Sequence, residues 1–319
     1  MKSEIHALVH INSLFTIHFF ILEVNMSKGI KLNSYAKINL FLDVIDRRPD
    51  GYHNIKSVMQ EIDLHDEVQI NEIKSGINIS CDNYNVPLDE KNTCYKAASL
   101  IKEKYDISMG VEILIKKVIP TEAGLAGGSG NAAAVIKGIN KLWNLGMSID
   151  EMKEIGVKVG ADVPFCLTGG TCLCEGVGDK ITELKPFKWD NMIIIKPNFS
   201  ISTPVVYKNI TDKEYNYYKD NNILEYINSN DYYKTCLSVA NTLEIAAIKL
   251  QPQISLIKDD LINSGAISSL MTGSGSSIYG FYESTTSMMA ANDKLSKKYN
   301  KTFNVKTLNS KYLEDDELI

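Results

Sequence analysis

The chain has 319 residues, of which 44% are apolar and 23% charged, and a formal net charge of −5. That length predicts about two domains, each able to bury its own core, and mild acidity with scattered lysines excludes a nucleic-acid-binding surface. Six cysteines, with no Cys-x-x-Cys and no histidines at ligand spacing, exclude a zinc module and read as reduced thiols of a cytoplasmic protein.

Residues 1–25 stand apart. Ala7 to Leu22 is apolar but broken by His10, Asn12, Ser13, Thr16 and His18, too interrupted for a spanning helix and with no cleavage site behind it. It reads as an upstream extension of uncertain status, a weak membrane-contacting or signal-like segment being the alternative. No stable membrane association is expected.

Ile30 to Ile45 is strand-rich and contains Ser34-Tyr-Ala-Lys37-Ile-Asn39-Leu-Phe-Leu. Lys37 and Asn39 are two apart and share one strand face, with Ile38 and Leu40 on the other. A lysine among Ala36, Ile38, Leu40 and Phe41 is costly to desolvate, so it either snorkels at a sheet edge or meets a carboxylate or a phosphate. Pro49-Asp50-Gly51 predicts a tight turn that delivers Tyr52 and His53 side by side. The pair is either a plain hairpin corner or a base-recognition corner, with Tyr52 as stacking face and His53 as hydrogen-bonding edge. Ser57 to Ile70 reads as two strands around Asp63–Asp66, and Tyr95, Ala98, Ile101 and Tyr105 predict a helix over Asn92–Tyr105.

Val111, Ile113 and Ile115 alternate as a strand that Pro120 ends. Behind it comes Pro120-Thr121-Glu122-Ala123-Gly124-Leu125-Ala126-Gly127-Gly128-Ser129-Gly130, then a helical stripe of Ala132, Val135, Ile136, Ile139, Leu142 and Trp143. Strand, Gly-rich loop and helix N-terminus together predict an anion site, because backbone N–H groups approach a ligand with no Cβ in the way and the helix end is partly positive. Neither Gly-x-x-x-x-Gly-Lys-Ser/Thr nor Gly-x-Gly-x-x-Gly occurs. The loop therefore lacks a lysine of its own, and a cation must come from elsewhere in the chain or from a metal.

Ser148 and Glu151 predict a capped helix start. Gly160-Ala161-Asp162-Val163-Pro164 places one acid among small and apolar residues. Asp162 is either a turn or cap aspartate, or it pairs with Lys37 across a cleft and aims at a substrate hydroxyl. From Lys188 onward, strands at Met192–Ile195, Ala266–Met271, Ile278–Tyr282 and Phe303–Leu308 alternate with helical Leu243–Ile262 and Met288–Tyr299. That order is a split βαβ arrangement. Thr272-Gly-Ser-Gly-Ser276 forms a second Gly-rich turn, for which a plain hairpin also fits.

Taken together, these segments resemble the GHMP kinase superfamily over nearly everything from Ile30 onward. The resemblance implies an α+β, two-domain fold, with a ribosomal S5-like N-terminal domain over 26–187 and a ferredoxin-like C-terminal domain over 188–319. It implies an ATP-dependent small-molecule kinase with ATP as co-substrate and Mg²⁺, and with no metal ligands assigned to the protein. Lys37 and Asp162 match the catalytic pair, and Pro120 to Gly130 match the ATP phosphate loop, with the adenine near Ile113–Ile119. Ala-Lys-Ile-Asn, Asp-Gly-Tyr-His and Gly-Ala-Asp-Val-Pro are similar to the branch whose substrate is a cytidine diphosphate derivative, and they place Asn39, Tyr52, His53 and Tyr207 against it. Gly130 departs from the superfamily, whose loop often carries a second hydroxyl there. A homoserine- or mevalonate-type kinase and a non-catalytic ATP-binding sensor stay open, and a monomer or homodimer is expected.

Overall fold

Two long strands carry the first half of the chain. The computed structural model describes residues 28–309 and the short strand Glu317–Leu318, so the N-terminal extension lies outside the described residues. β1 (Gly29–Arg47) and β2 (His53–Ile73) are joined by a tight turn in which Gly51 takes φ 89°, a conformation open to glycine, and the Arg48 amide donates to the Tyr52 carbonyl at 2.8 Å. The strands pair antiparallel from Gly29↔Asn71 to Arg47↔His53, with register shifts between Tyr35 and Ala36, Asn39 and Phe41, and Val44 and Asp46. Ser57 to Ile70, expected as two strands, is therefore one. Asp63 and Leu64 fall where Tyr35 pairs with His65 and Ala36 with Ile62, and a bulge absorbs extra residues by bending a strand rather than ending it.

β3 (Ile77–Cys81), α1 (Thr93–Lys104), β4 (Gly110–Lys116), α2 (Gly127–Leu142), α3 (Ile149–Val159), α4 (Val163–Thr168), β5 (Thr171–Gly176) and β6 (Lys180–Glu183) complete this half. The strands lie in the order β1-β2-β4-β3, and β5 pairs with the hairpin end of β2 and with β6. β4 ends at Lys116, four residues before Pro120. The predicted stripe of α2 packs on Ile30, Leu32, Val68 and Ile70, while the Trp143 indole donates to Glu72 at 2.8 Å. Local signals hold at the helix starts: Asn92 accepts from the Cys94 amide ahead of α1, and Ser148 and Glu151 form a reciprocal capping box ahead of α3.

The second half contains β7 (Met192–Ile195), α5 (Thr203–Lys208), α6 (Ile223–Ser229), α7 (Tyr232–Leu237), β8 (Ala240–Asn241), α8 (Thr242–Leu250), α9 (Gln253–Asn263), β9 (Ser268–Met271), β10 (Ile278–Phe281), α10 (Thr285–Lys298) and β11 (Thr302–Val305). The segment expected as one helix is two, broken at Gln251-Pro252, where proline has no N–H to continue the ladder. The sheet order β11-β7-β10-β9, all antiparallel, is the split βαβ order inferred from the alternation of elements. β8 runs parallel to β1, and β12 (Glu317–Leu318) pairs with its start.

A shared core fixes the two sheets against each other. Ala36, Ile38 and Leu40 of β1 pack with Ile194, Tyr279 and Phe281 of the second sheet, and the Tyr279 hydroxyl donates to the Asn39 carbonyl at 2.9 Å. Fully burying side chains of this size stabilises by about 1.5–3 kcal/mol each, so the cleft beside them has stiff walls. All six cysteines are free thiols, four of them buried. Among the described residues no helix is long and apolar enough to cross a membrane.

Candidate active site

The cleft opens where the apolar face of β1 gives way to Lys37. Lys37 is only 4% exposed, and its ammonium donates to Asn39 Oδ1 at 2.7 Å and stands 3.6 Å from Asp162 Oδ2. A buried lysine needs such partners, and the strand supplies one two residues on, along the shared face. Asp162 directly precedes α4, with Pro164 in the first turn, yet its side chain makes no capping hydrogen bond. One third exposed, it turns toward Lys37 instead. Of the two readings open for each residue, the geometry supports the cleft pair.

Asn39 lines the same cleft. It is fully buried, with Oδ1 taken by Lys37, Nδ2 donating to Ser57 Oγ at 2.8 Å and its own amide donating to Thr272 Oγ1 at 3.0 Å. Asn39 thus orients Lys37 from the cleft wall.

The Gly-rich loop is wedged between β1 and the second Gly-rich turn. The Lys37 amide donates to the Leu125 carbonyl at 3.2 Å, and the Ser277 amide donates to that of Ala123 at 3.2 Å. Gly124, at φ 73°, has no room for a Cβ, which would run into the Thr272 carbonyl. Ala123 and Leu125 turn their side chains into the core, while Glu122, Gly124, Ala126 and Ser129 line the cleft. Ala126, at φ 57°, ends the loop, and α2 starts at Gly127 with its first amides facing outward from the helix end. Pro120 and Thr121 lie on the approach, outside the cleft lining. Gly130 faces away from the cleft: a Cβ there would lie 2.7 Å from Ser34 Oγ and 3.0 Å from the Tyr35 carbonyl. A side chain at this position would crowd Ser34 Oγ and the Tyr35 carbonyl of β1.

At the other end of the cleft, His53 stacks on Tyr207 of α5, with ring centroids 5.0 Å apart and planes inclined by 28°. Tyr215 adds a third ring 6.2 Å from His53. Tyr52 lines the same cleft but is 66% exposed, so the corner is open on its side. Burial is the main cause lowering the His53 pKa below 6.5, helped by Arg47 and opposed by Asp46, and burial, with a smaller contribution from Asp162, pushes the Tyr207 phenol up. The cleft measures about 960 Å³ and joins this corner to Lys37, Asp162 and the Gly-rich loop. Lys37, Asn39, Asp162, Tyr52, His53, Tyr207 and the cleft-facing part of the loop therefore share one cavity.

Residues 92–170 match the family described as GHMP kinases N terminal domain, and residues 222–301 match GHMP kinases C terminal. The chain is 41% identical to the 4-diphosphocytidyl-2-C-methyl-D-erythritol kinase of Clostridium beijerinckii over 88% of its own length and 100% of that protein. It belongs to this kinase family. A crystal structure of 4-(cytidine 5'-diphospho)-2C-methyl-D-erythritol kinase superposes with a TM-score of 0.74 at 28% identity, covering 88% of this chain and 100% of that one. A homoserine kinase from Cytophaga hutchinsonii gives 0.73 at 20% identity over 92% and 98%, a likeness of fold alone.

The cleft also draws in the second Gly-rich turn and residues that no sequence motif marked. Thr272 Oγ1 bridges Asn39 and the Gly124 carbonyl at 3.3 Å each, tying the second Gly-rich turn to both the lysine strand and the first Gly-rich loop. The Thr203 and Ser274 hydroxyls meet at 2.7 Å across the cleft rim. The turn is a hairpin between β9 and β10, as one reading had it, but it is also a wall of the site. Its Gly spacing was the available signal; nothing in the sequence marked Tyr215 or Thr203.

Proposed function

We propose that this chain transfers the γ-phosphoryl group of ATP to the 2-hydroxyl of 4-diphosphocytidyl-2-C-methyl-D-erythritol, giving the 2-phosphate and ADP, a step of non-mevalonate isoprenoid precursor synthesis. The observation that carries this reading is that one cleft joins the Lys37–Asp162 pair to an aromatic corner of Tyr52, His53 and Tyr207. The triphosphate lies against the cleft-facing part of the Pro120–Gly130 loop, between Glu122 and Ser129, where backbone amides and the α2 N-terminus receive negative charge. The cytosine enters between Tyr52 and Tyr207, with His53 as the hydrogen-bonding edge. Asp162 accepts the proton of the 2-hydroxyl as its oxygen bonds to the γ-phosphorus and the bond to the ADP oxygen breaks. Lys37, oriented by Asn39, stabilises negative charge on the reacting oxygens.

Asp50, Glu122 and Asp162 are the carboxylates lining the cleft, and among the described residues no group of three His, Cys, Asp or Glu side chains is arranged to hold a metal. Such a wall suits Mg²⁺ that arrives on the nucleotide, held mainly by phosphate oxygens and water, where it neutralises phosphate charge. We further assign 26–187 and 188–319 as the two domains, a division supported by the second sheet, whose four strands all lie within 192–305, and place the enzyme in the cytoplasm, where six free thiols stay reduced.

The test is ADP release by the full chain with the cytidyl substrate, homoserine and mevalonate side by side. Turnover confined to the cytidyl substrate is expected. Turnover with either of the others would move the enzyme elsewhere in the superfamily, and ATP binding without turnover would make it a sensor.

A further inference from the structure

We propose that Lys117 is a cation buried beneath the Gly-rich loop, held there by Asp66, and that this pair tunes the loop's affinity for ATP. The inference rests on the kinase reading of the cleft. Asp66 of β2 is fully buried, and its carboxylate collects the donors of the segment that leads into the loop. Oδ1 accepts from the Val118 amide at 2.7 Å and the Ile119 amide at 2.8 Å, and Oδ2 pairs with the Lys117 ammonium. A second aspartate, Asp82, accepts from the Lys117 amide at 2.8 Å.

The ammonium does not merely neutralise Asp66. A Cβ on Gly127 would lie 3.0 Å from Lys117 Nζ, so the charge sits directly under the first residue of α2. On the neighbouring turn Thr93 Oγ1 donates to the Gly128 carbonyl at 2.8 Å, fixing the loop against α1. A cation at the positive end of a helix is unfavourable by itself. It becomes favourable when an anion docks on the helix end, and of the two buried charges it is the ammonium that abuts Gly127. The loop has no lysine of the Gly-Lys-Ser/Thr type, and Lys117 supplies that charge from three residues before Pro120.

A scaffold and an electrostatic role part company when both charges are removed together, because a buried ion pair replaced by neutral groups of similar size often leaves stability unharmed, whereas losing one partner strands the other. ATP binding by calorimetry, thermal midpoint, and KM for ATP and for the cytidyl substrate are measured on full-length wild type, Asp66→Asn/Lys117→Met and Asp66→Asn. The double variant is expected to fold, to keep KM for the cytidyl substrate within about twofold and to bind ATP about tenfold or more weakly, as loss of a charge-assisted phosphate interaction would give. Asp66→Asn keeps an oxygen for the two amides and frees the ammonium, so it binds ATP at least as tightly as wild type. A folded double variant with wild-type ATP affinity overturns the proposal, and so does clear weakening of ATP binding in Asp66→Asn; should one of the two not fold, the other decides the matter. Wild-type protein that binds no ATP would overturn the kinase reading itself, and this inference with it.

Discussion

Lys37 and Asp162 meet across the cleft at 3.6 Å, one from the middle of a buried strand and the other from the residue that precedes a short helix. The lysine is buried and held by Asn39, and the aspartate is open to a substrate. That asymmetry suits a fixed cation beside a base that needs access to a hydroxyl.

Asp162→Asn should leave ATP binding nearly unchanged and cut kcat by ~10²–10⁴, the usual worth of a positioned general base. Stability should fall by about 1–3 kcal/mol at most, since the buried ammonium loses its counter-charge but keeps Asn39. Calorimetry and steady-state kinetics on the same preparation check both, and undiminished turnover would remove Asp162 from the reaction.

Much of this site was legible because its parts are local. The i, i+2 spacing of Lys37 and Asn39, the Pro-Asp-Gly turn before Tyr52 and His53, and the glycines ahead of a helical stripe each reflect backbone geometry within a few residues. What stayed hidden depends on contacts between segments distant in sequence. That Asn39 is tied to Ser57 and Thr272, that Gly130 packs against Ser34, and that Asp66 gathers the 117–119 segment all follow from pairings across β1, β2 and the second sheet. The elements misjudged were the ones where local pattern and tertiary context disagree: the bulge at Asp63 looked like a turn, and the break at Pro252 fell inside a continuous apolar period.

Asn39→Ala separates an orienting role from a substrate-binding one. Removing the amide strands Lys37 without its 2.7 Å acceptor and leaves Ser57 Oγ without its donor, a loss of about 1–3 kcal/mol in stability. The expected kinetic signature is a fall in kcat with KM for the cytidyl substrate little changed. A rise in that KM with kcat intact would return Asn39 to the substrate.

Tyr52→Ala tests the open side of the corner. Its ring is exposed and makes no stack with His53 or Tyr207, so its removal should leave the fold alone. Base-on-aromatic stacking is worth ~1–3 kcal/mol, which predicts about a tenfold rise in KM for the cytidyl substrate and no change in KM for ATP. Equal changes in the two would argue against stacking.

His53 gives the site a pH signature. Burial lowers its folded pKa below the unfolded value of 6.5, so the unfolded chain takes up a proton first as the solution is acidified. Its contribution to stability is therefore complete above pH 6.5 and is lost as pH falls through the folded pKa. The protonated ring also loses its acceptor nitrogen, so KM for the cytidyl substrate should climb over the same window. Tyr207→Ala uncovers one face of the imidazole and should move its midpoint, read by NMR, upward toward 6.5. A midpoint that stays put would mean the Tyr207 ring contributes nothing to the burial.

Gly130→Ser asks whether the loop's missing hydroxyl is a functional loss or a packing choice. The new Cβ would lie 2.7 Å from Ser34 Oγ and 3.0 Å from the Tyr35 carbonyl, the second of which is backbone and cannot rotate away. Overpacking of this kind costs ~1–3 kcal/mol, so the single variant should unfold at lower denaturant with an unchanged m-value. Ser34→Ala in the same chain relieves the side-chain clash but not the carbonyl one, so it should restore part of the loss and no more. Additive destabilisation in the double variant would show that the two positions do not touch, and a Gly130→Ser enzyme as stable as wild type, with tighter ATP binding, would show that β1 leaves room for the hydroxyl after all.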